Sequence, residues 1–150
     1  MLPVAASRTE ASTPEILNHR IRQRTTDSVA RALAGGPDAI DRRLEQLDRE
    51  WDVERALMVV ASSAMLAGLW LGAMRNRRWL LGAGMVSGFL LEHAVQGWCP
   101  PLPVLRAIGL RTRREIDGER VALKAARGDF HAIDRGSAVG PNTLLALAEF

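Results

Sequence analysis

The stretch Ala56–Met74, ALMVVASSAMLAGLWLGAM, is nineteen consecutive residues without a charge. As a helix rising about 1.5 Å per residue it is about 28 Å long, close to the roughly 30 Å hydrocarbon thickness of a bilayer. It is apolar on every face, where a helix on the surface of a soluble domain would carry a polar stripe. Arg75, Asn76, Arg77 and Arg78 then make a tight polar turn. A second uncharged run follows from Trp79 to Leu91, becomes mixed through Glu92, His93 and Gln96, and is stopped by Pro100, Pro101 and Pro103. So short a connection admits only an antiparallel pair. The expected fold is all-α: a two-helix transmembrane hairpin flanked by amphipathic polar helices.

The tryptophans fit that hairpin. Trp51 and Trp70 are 19 residues apart, and so are Trp79 and Trp98. A turn at 75–78 brings Trp70 and Trp79 to one end and Trp51 and Trp98 to the other, as two interfacial belts. Small residues recur by fours at Ala64, Gly68 and Gly72, and again at Gly84 and Gly88. In lipid, close packing takes the place of the hydrophobic effect in holding helices together, and small residues permit it. Gly68, Gly72, Gly84 and Gly88 are therefore the expected helix-packing positions. Glu92 continues the Gly84–Gly88 stripe by one step of four and should face the first helix near Ala61 and Ser62, where intramembrane polar groups belong. The Ser62–Ser63 pair has no base nearby in sequence, and hydroxyls bonding back to helical carbonyls account for it.

Outside the hairpin the chain is polar. Residues 1–12 lack periodicity and are expected to be disordered; they also lack the basic and apolar regions of a cleavable signal peptide. Within a helical segment 13–54, Thr13, Pro14 and Glu15 read as N-cap, first helical residue and first-turn acid. The helix they open has Leu17, Ile21, Val29 and Leu33 on one face and ends at Gly35–Gly36–Pro37. A second helix starts at Asp38, with Ile40, Leu44, Leu47 and Trp51 as an apolar seam. No Pro or Gly separates Asp38 from Ala67, so this helix either continues into the span or breaks near Trp51–Arg55. The hairpin and its Cys-Pro turn occupy 55–112. Thr112 and Glu115 form a capping box opening a basic amphipathic helix to residue 130. Its apolar face, Ile116, Leu123 and Phe130, should lie on the membrane surface or on the Ile40–Trp51 seam. Residues 131–150 read as a flexible tail.

The chain has 19 Arg, one Lys and a net charge of +3. That balance suits anionic lipid or nucleic acid, but with no Tyr and three Phe there is little base-stacking surface. Nucleic acid is thus not an expected partner. Arg42, Arg43, Arg49 and Arg55 precede the spans and Arg106, Arg111, Arg113 and Arg114 follow them, against three Arg in the turn. This excess places both termini in the cytoplasm. No cofactor or metal is expected, since His19, His93 and His131 lie on separate elements and Cys99 is the one cysteine. Cys99 has two readings: a small buried residue shaping the Cys-Pro turn, or a thiol that accepts sulfur or pairs across a dimer. The partial negative charge at a helix C-terminus disfavours a thiolate there.

Gly97-Trp98-Cys99-Pro100, followed by Leu105, Gly109 and Thr112, resembles the ending of the YgaP-like inner-membrane family, a two-helix transmembrane domain of unknown function. The resemblance covers about residues 45–112, and Glu119 to Phe130 is similar to a subgroup extension. It implies a hairpin in the bacterial inner membrane that dimerises. Some relatives carry a rhodanese sulfurtransferase domain; this chain shows neither its catalytic Cys loop nor its strand–helix alternation. The expected function is a non-enzymatic membrane hairpin that oligomerises and presents basic cytoplasmic helices to the lipid bilayer or to a protein partner. The alternatives are a soluble basic all-α nucleic-acid-binding or adaptor protein, and a membrane component of sulfur transfer acting through Cys99.

Overall fold

The computed structural model describes residues 8–130, and every regular element among them is a helix. These are α1 (Arg8–Ala11), α2 (Glu15–Ala34), α3 (Pro37–Arg49), α4 (Val53–Met74), α5 (Trp79–Gln96), α6 (Leu102–Ala107) and α7 (Arg113–Arg127). They form two compact units. Among the described residues, one contains 8–24 together with Glu50–Ile116, and the other contains Thr25–Arg49 and 117–130. The tail expected to be flexible, 131–150, lies outside the described residues, as do residues 1–7.

In the first unit, the choice between one long helix and a break falls to the break. α3 stops at Arg49, and Asp52 takes an extended conformation as the N-cap of α4, its carboxylate accepting from the Arg55 N–H at 2.6 Å. The Val53 N–H donates to the Arg111 carbonyl at 2.8 Å. Both N–H groups are satisfied from outside an α-helical ladder, which removes the reason for the helix to run through. α4 then passes through the polar turn, where the Asn76 side chain accepts from the Arg78 N–H at 2.9 Å. α5 returns antiparallel and ends at Gly97, whose φ of 77° is the left-handed cap that glycine adopts without a Cβ penalty. Its N–H donates to the His93 carbonyl at 2.7 Å.

The hairpin packs through small residues, but through only one of the two expected stripes. A Cβ on Gly68 would lie 3.1 Å from the Ala83 Cβ and 3.3 Å from backbone atoms of Ala83 and Trp79. A Cβ on Gly72 would meet the Leu80 side chain at 2.5 Å. Gly84 and Gly88, expected to face α4, have nothing within 4 Å and are exposed. Ala83 is the buried residue of α5, so the face turned to α4 is one position away from the glycine stripe. Spacing by four finds a stripe on a helix but not the direction in which the helix is rotated.

Two N-terminal expectations are also corrected. Arg8–Ala11 forms a helical turn where disorder was expected, and the Thr13 hydroxyl donates back to the Thr9 carbonyl at 2.6 Å instead of capping α2. Asn18 ties the same turn down, its amide donating to the Glu10 carbonyl at 2.8 Å. Of the expected apolar face of α2, Ile21 is buried, Leu17 and Val29 are half-buried, and Leu33 is exposed.

In the second unit, α7 packs on α3. Arg43 pairs with Glu119 at 2.8 Å, Arg120 with Asp48 at 2.8 Å, and Arg127 with Asp41 at 2.5 Å. Between these pairs Ile40, Leu44 and Leu47 of α3 and Leu123 of α7 are buried. These ion pairs hold α7 beside the α3 seam, one of the two surfaces expected for its apolar face. Glu119 and Lys124 are buried as well.

Alanine at the two kinds of glycine should separate these packing roles. Gly68→Ala forces backbone apart and is expected to destabilise the hairpin by roughly 1–3 kcal/mol. Gly88→Ala meets nothing within the chain and should be neutral or gain up to about 1 kcal/mol of helix propensity. Denaturant unfolding of the two variants in detergent checks this; equal losses would contradict the observed rotation of α5.

Candidate functional site

The surface of α4 and α5 is the most distinctive feature of the first unit. Met58, Val59, Val60, Leu66, Leu69 and Met74 on α4 are exposed, as are Leu80, Leu81, Met85, Leu91 and Val95 on α5. Water would make so continuous an apolar surface unfavourable. α4 has the length and mean hydropathy, 1.8, to cross a membrane, and only 22% of that window is buried within the protein. It is the one helix that meets both conditions among the described residues, because Glu92, His93 and Gln96 lower the average of α5. Trp51, Trp70, Trp79 and Trp98 are all exposed, in keeping with rings available to an interface. The Arg55 guanidinium lies 4.5 Å from the centre of the Trp51 ring, a cation–π contact. Within α4, the Ser62 hydroxyl bonds back to the Met58 carbonyl at 2.6 Å, which satisfies it without a partner helix.

At the end of the hairpin away from the turn, two arginines that would be read as interfacial charges prove to be structural. The Arg106 side chain is wholly buried and pairs bidentately with Glu115 at 2.6 and 2.9 Å. It also donates to the Asn18 side chain at 2.8 Å and to the Leu110 carbonyl at 3.2 Å. Arg111 pairs bidentately with Glu50 at 2.7 and 2.6 Å. Glu115 holds the capping box as expected: it accepts from the Thr112 N–H at 2.7 Å, while the Glu115 N–H donates to the Thr112 hydroxyl at 3.2 Å. Burial raises the Glu115 pKa, but the hydrogen bonds from Arg106 and Thr112 outweigh it and hold the carboxyl below its ordinary value. A pattern reading misses this group because a buried arginine and a surface arginine look alike in sequence. The available signal was the four-residue spacing of Arg106 from Leu102, on a six-residue helix whose Leu102 face is buried.

Cys99 lies within the core that joins α4, α5 and α6. It is 1% exposed and clusters with Val53, Leu57 and Leu102, with Leu105 and Leu110 packed against them. It also lines an apolar cavity of about 120 Å³ together with Leu57, Val60, Ala61, Ala64, Val86, Phe89, Leu90 and Pro101. Burial pushes the thiol pKa up, and the Glu92 carboxylate adds to the effect. The Cys99 carbonyl accepts from the Leu102 N–H at 3.0 Å, fixing the entry to α6. Glu92 is half-buried. Among the described residues no three His, Cys, Asp or Glu side chains converge as a metal site.

Residues 52–115 match the family described as inner membrane protein YgaP-like, transmembrane domain. Neither the comparison with curated proteins nor that with solved structures gives a match.

The Arg106–Glu115 pair leads to a pH prediction. With its folded pKa depressed, Glu115 contributes stability in full above its ordinary value of 4.5 and loses it as pH falls through the folded value. Unfolding followed by helical circular dichroism should show that acid limb, and Glu115→Gln should flatten it. Arg106→Met, which leaves Glu115 half-buried and unpaired by Arg106, should cost about 3–5 kcal/mol at neutral pH. An Arg106→Met variant as stable as the parent would show that the pair is dispensable.

Proposed function

We propose that this chain, a membrane protein whose residues 52–115 form a YgaP-like transmembrane domain, is a non-enzymatic hairpin of the bacterial inner membrane that oligomerises and presents basic cytoplasmic helices to lipid or to a protein partner. The observation that carries this reading is the exposed apolar surface on both helices of the hairpin, with tryptophans at its ends. A soluble adaptor would have to leave that surface in water, where its exposure favours aggregation.

The glycine stripe on the outer face of α5 supports the oligomeric part. Gly84 and Gly88 have open space beyond them, so a second copy could approach there as closely as Gly68 and Ala83 approach within the hairpin. Orientation rests on arginine. Of the eight that flank the spans, Arg106 and Arg111 are committed to buried pairs and Arg43 to Glu119. Arg113 lies 3.9 Å from the Asp52 carboxylate, and the remaining four, Arg42, Arg49, Arg55 and Arg114, still outnumber the three of the turn. That excess supports a reading with both termini in the cytoplasm. For Cys99, an enclosed neutral thiol in an apolar cavity favours the turn-shaping role over sulfur chemistry.

Three measurements test the proposal. Alkaline carbonate should leave the protein in the membrane fraction; release to the supernatant would overturn the hairpin reading. In a Cys99→Ser background, a cysteine at position 76 should label from the periplasmic side and one at position 45 should not. The reverse pattern would invert the topology. Gly88→Leu should lower the oligomeric state in detergent without loss of helix content, because bulk at that position meets only a neighbouring copy.

A further inference from the structure

The unit built on α3, α7 and the second half of α2 holds a polar cleft of about 300 Å³. Ala32 of α2, which is buried, and Ala39 of α3 form its apolar lining. Its polar lining is Ser28 and Arg31 from α2 with Arg42, Arg43 and Gln46 from α3. Three guanidinium groups and no carboxylate line the same space.

The three arginines are not equivalent. Arg43 is held by both oxygens of Glu119, at 2.8 and 3.1 Å, and reaches Gln46 at 3.2 Å, so its charge is matched and its position set. The Arg31 Nε donates to the Asp27 backbone carbonyl at 3.2 Å, which orients the guanidinium without neutralising it. Arg42 has no ion pair or hydrogen bond among the described residues, although Asp38 and Glu45 lie one turn away on the same helix. Two guanidinium charges in one cleft repel each other, and an anion between them relieves that repulsion.

We infer that this cleft binds a phosphate group. A guanidinium fork matches the spacing of two oxygens. A carboxylate offers two oxygens and one negative charge, whereas a phosphate monoester offers three outer oxygens and up to two charges, which suits Arg31, Arg42 and the Ser28 hydroxyl together. The group comes either as a lipid headgroup or as a free phosphate compound, which present the same oxygens. No residue of the cleft belongs to 52–115, so the inference goes beyond the membrane hairpin.

The test uses the full chain in a neutral maltoside detergent. In one arm inorganic phosphate is titrated against sodium chloride of equal ionic strength, with 31P line width and thermal unfolding as readouts. In the other, mixed micelles carry phosphatidic acid or, as the phosphate-free control, diacylglycerol. Saturable binding is expected in at least one arm. Arg42→Gln, which breaks no contact among the described residues, should weaken it about tenfold, equivalent to about 1.4 kcal/mol. Arg49→Gln, on the same helix but outside the cleft, should leave it unchanged. Binding of inorganic phosphate assigns a soluble source; binding of phosphatidic acid alone assigns a headgroup. Were the protein to prove soluble without detergent, the inorganic arm would run unchanged, so a failed hairpin reading and a failed cleft are told apart. No saturable binding in either arm, an equal response to chloride, or equal losses in Arg42→Gln and Arg49→Gln would overturn the inference.

Discussion

A chain that enters hydrocarbon must satisfy its own backbone, and the hairpin depends on how its two ends meet that demand. Inside α4 and α5 the helical ladder does so, and serine hydroxyls fold back on carbonyls one turn earlier. At the ends the ladder runs out. Asp52 and the Arg111 carbonyl take up the first N–H groups of α4, and Gly97 closes the last turn of α5. Near these ends lies the pair of Arg106 and Glu115, wholly buried on one side and nearly so on the other. Asn18 and the Leu110 carbonyl take further N–H groups of its two terminal nitrogens, which helps a guanidinium to sit in a core, although its buried Nε has no hydrogen-bond partner among the described residues. Such a pair adds little net stability relative to apolar replacements, but it accepts only one arrangement of the segments that supply it.

The hairpin has two unlike faces. Toward each other, α4 and α5 bring Gly68, Gly72 and Ala83 into close backbone approach. Outward they present Met, Val, Leu and Trp, together with the open glycines of α5. Near the Cys-Pro turn the helices part enough to leave an apolar cavity, and Cys99 closes one side of it. A neutral thiol there behaves as a small apolar group. The second unit uses a different chemistry. Its α3 and α7 carry apolar seams too narrow to hold alone, and ion pairs border them. Exposed pairs of that kind contribute little singly, so register is their main effect, with burial of Leu44, Leu47 and Leu123 supplying the stability.

Much of this was determined by the sequence alone. A charge-free run of nineteen residues, a four-residue polar turn and three prolines define a helical hairpin whatever surrounds them, because length and apolarity are properties of the chain. The Thr112–Glu115 capping box is equally local, and it forms as its spacing requires. What the tertiary structure alone decided is rotation and pairing. Glycine stripes at Gly68–Gly72 and Gly84–Gly88 look equivalent by period, yet only the first is covered, since rotation of α5 is set by contacts with α4. Arg106 and Arg111 look like surface charges until Asn18 and Glu50 meet them from distant parts of the chain and Glu115 from nine residues beyond Arg106. Whether the helix after Asp38 breaks was open for the same reason. Its interruption at Asp52 depends on a carbonyl 59 residues further on, that of Arg111, and no local pattern carries that information.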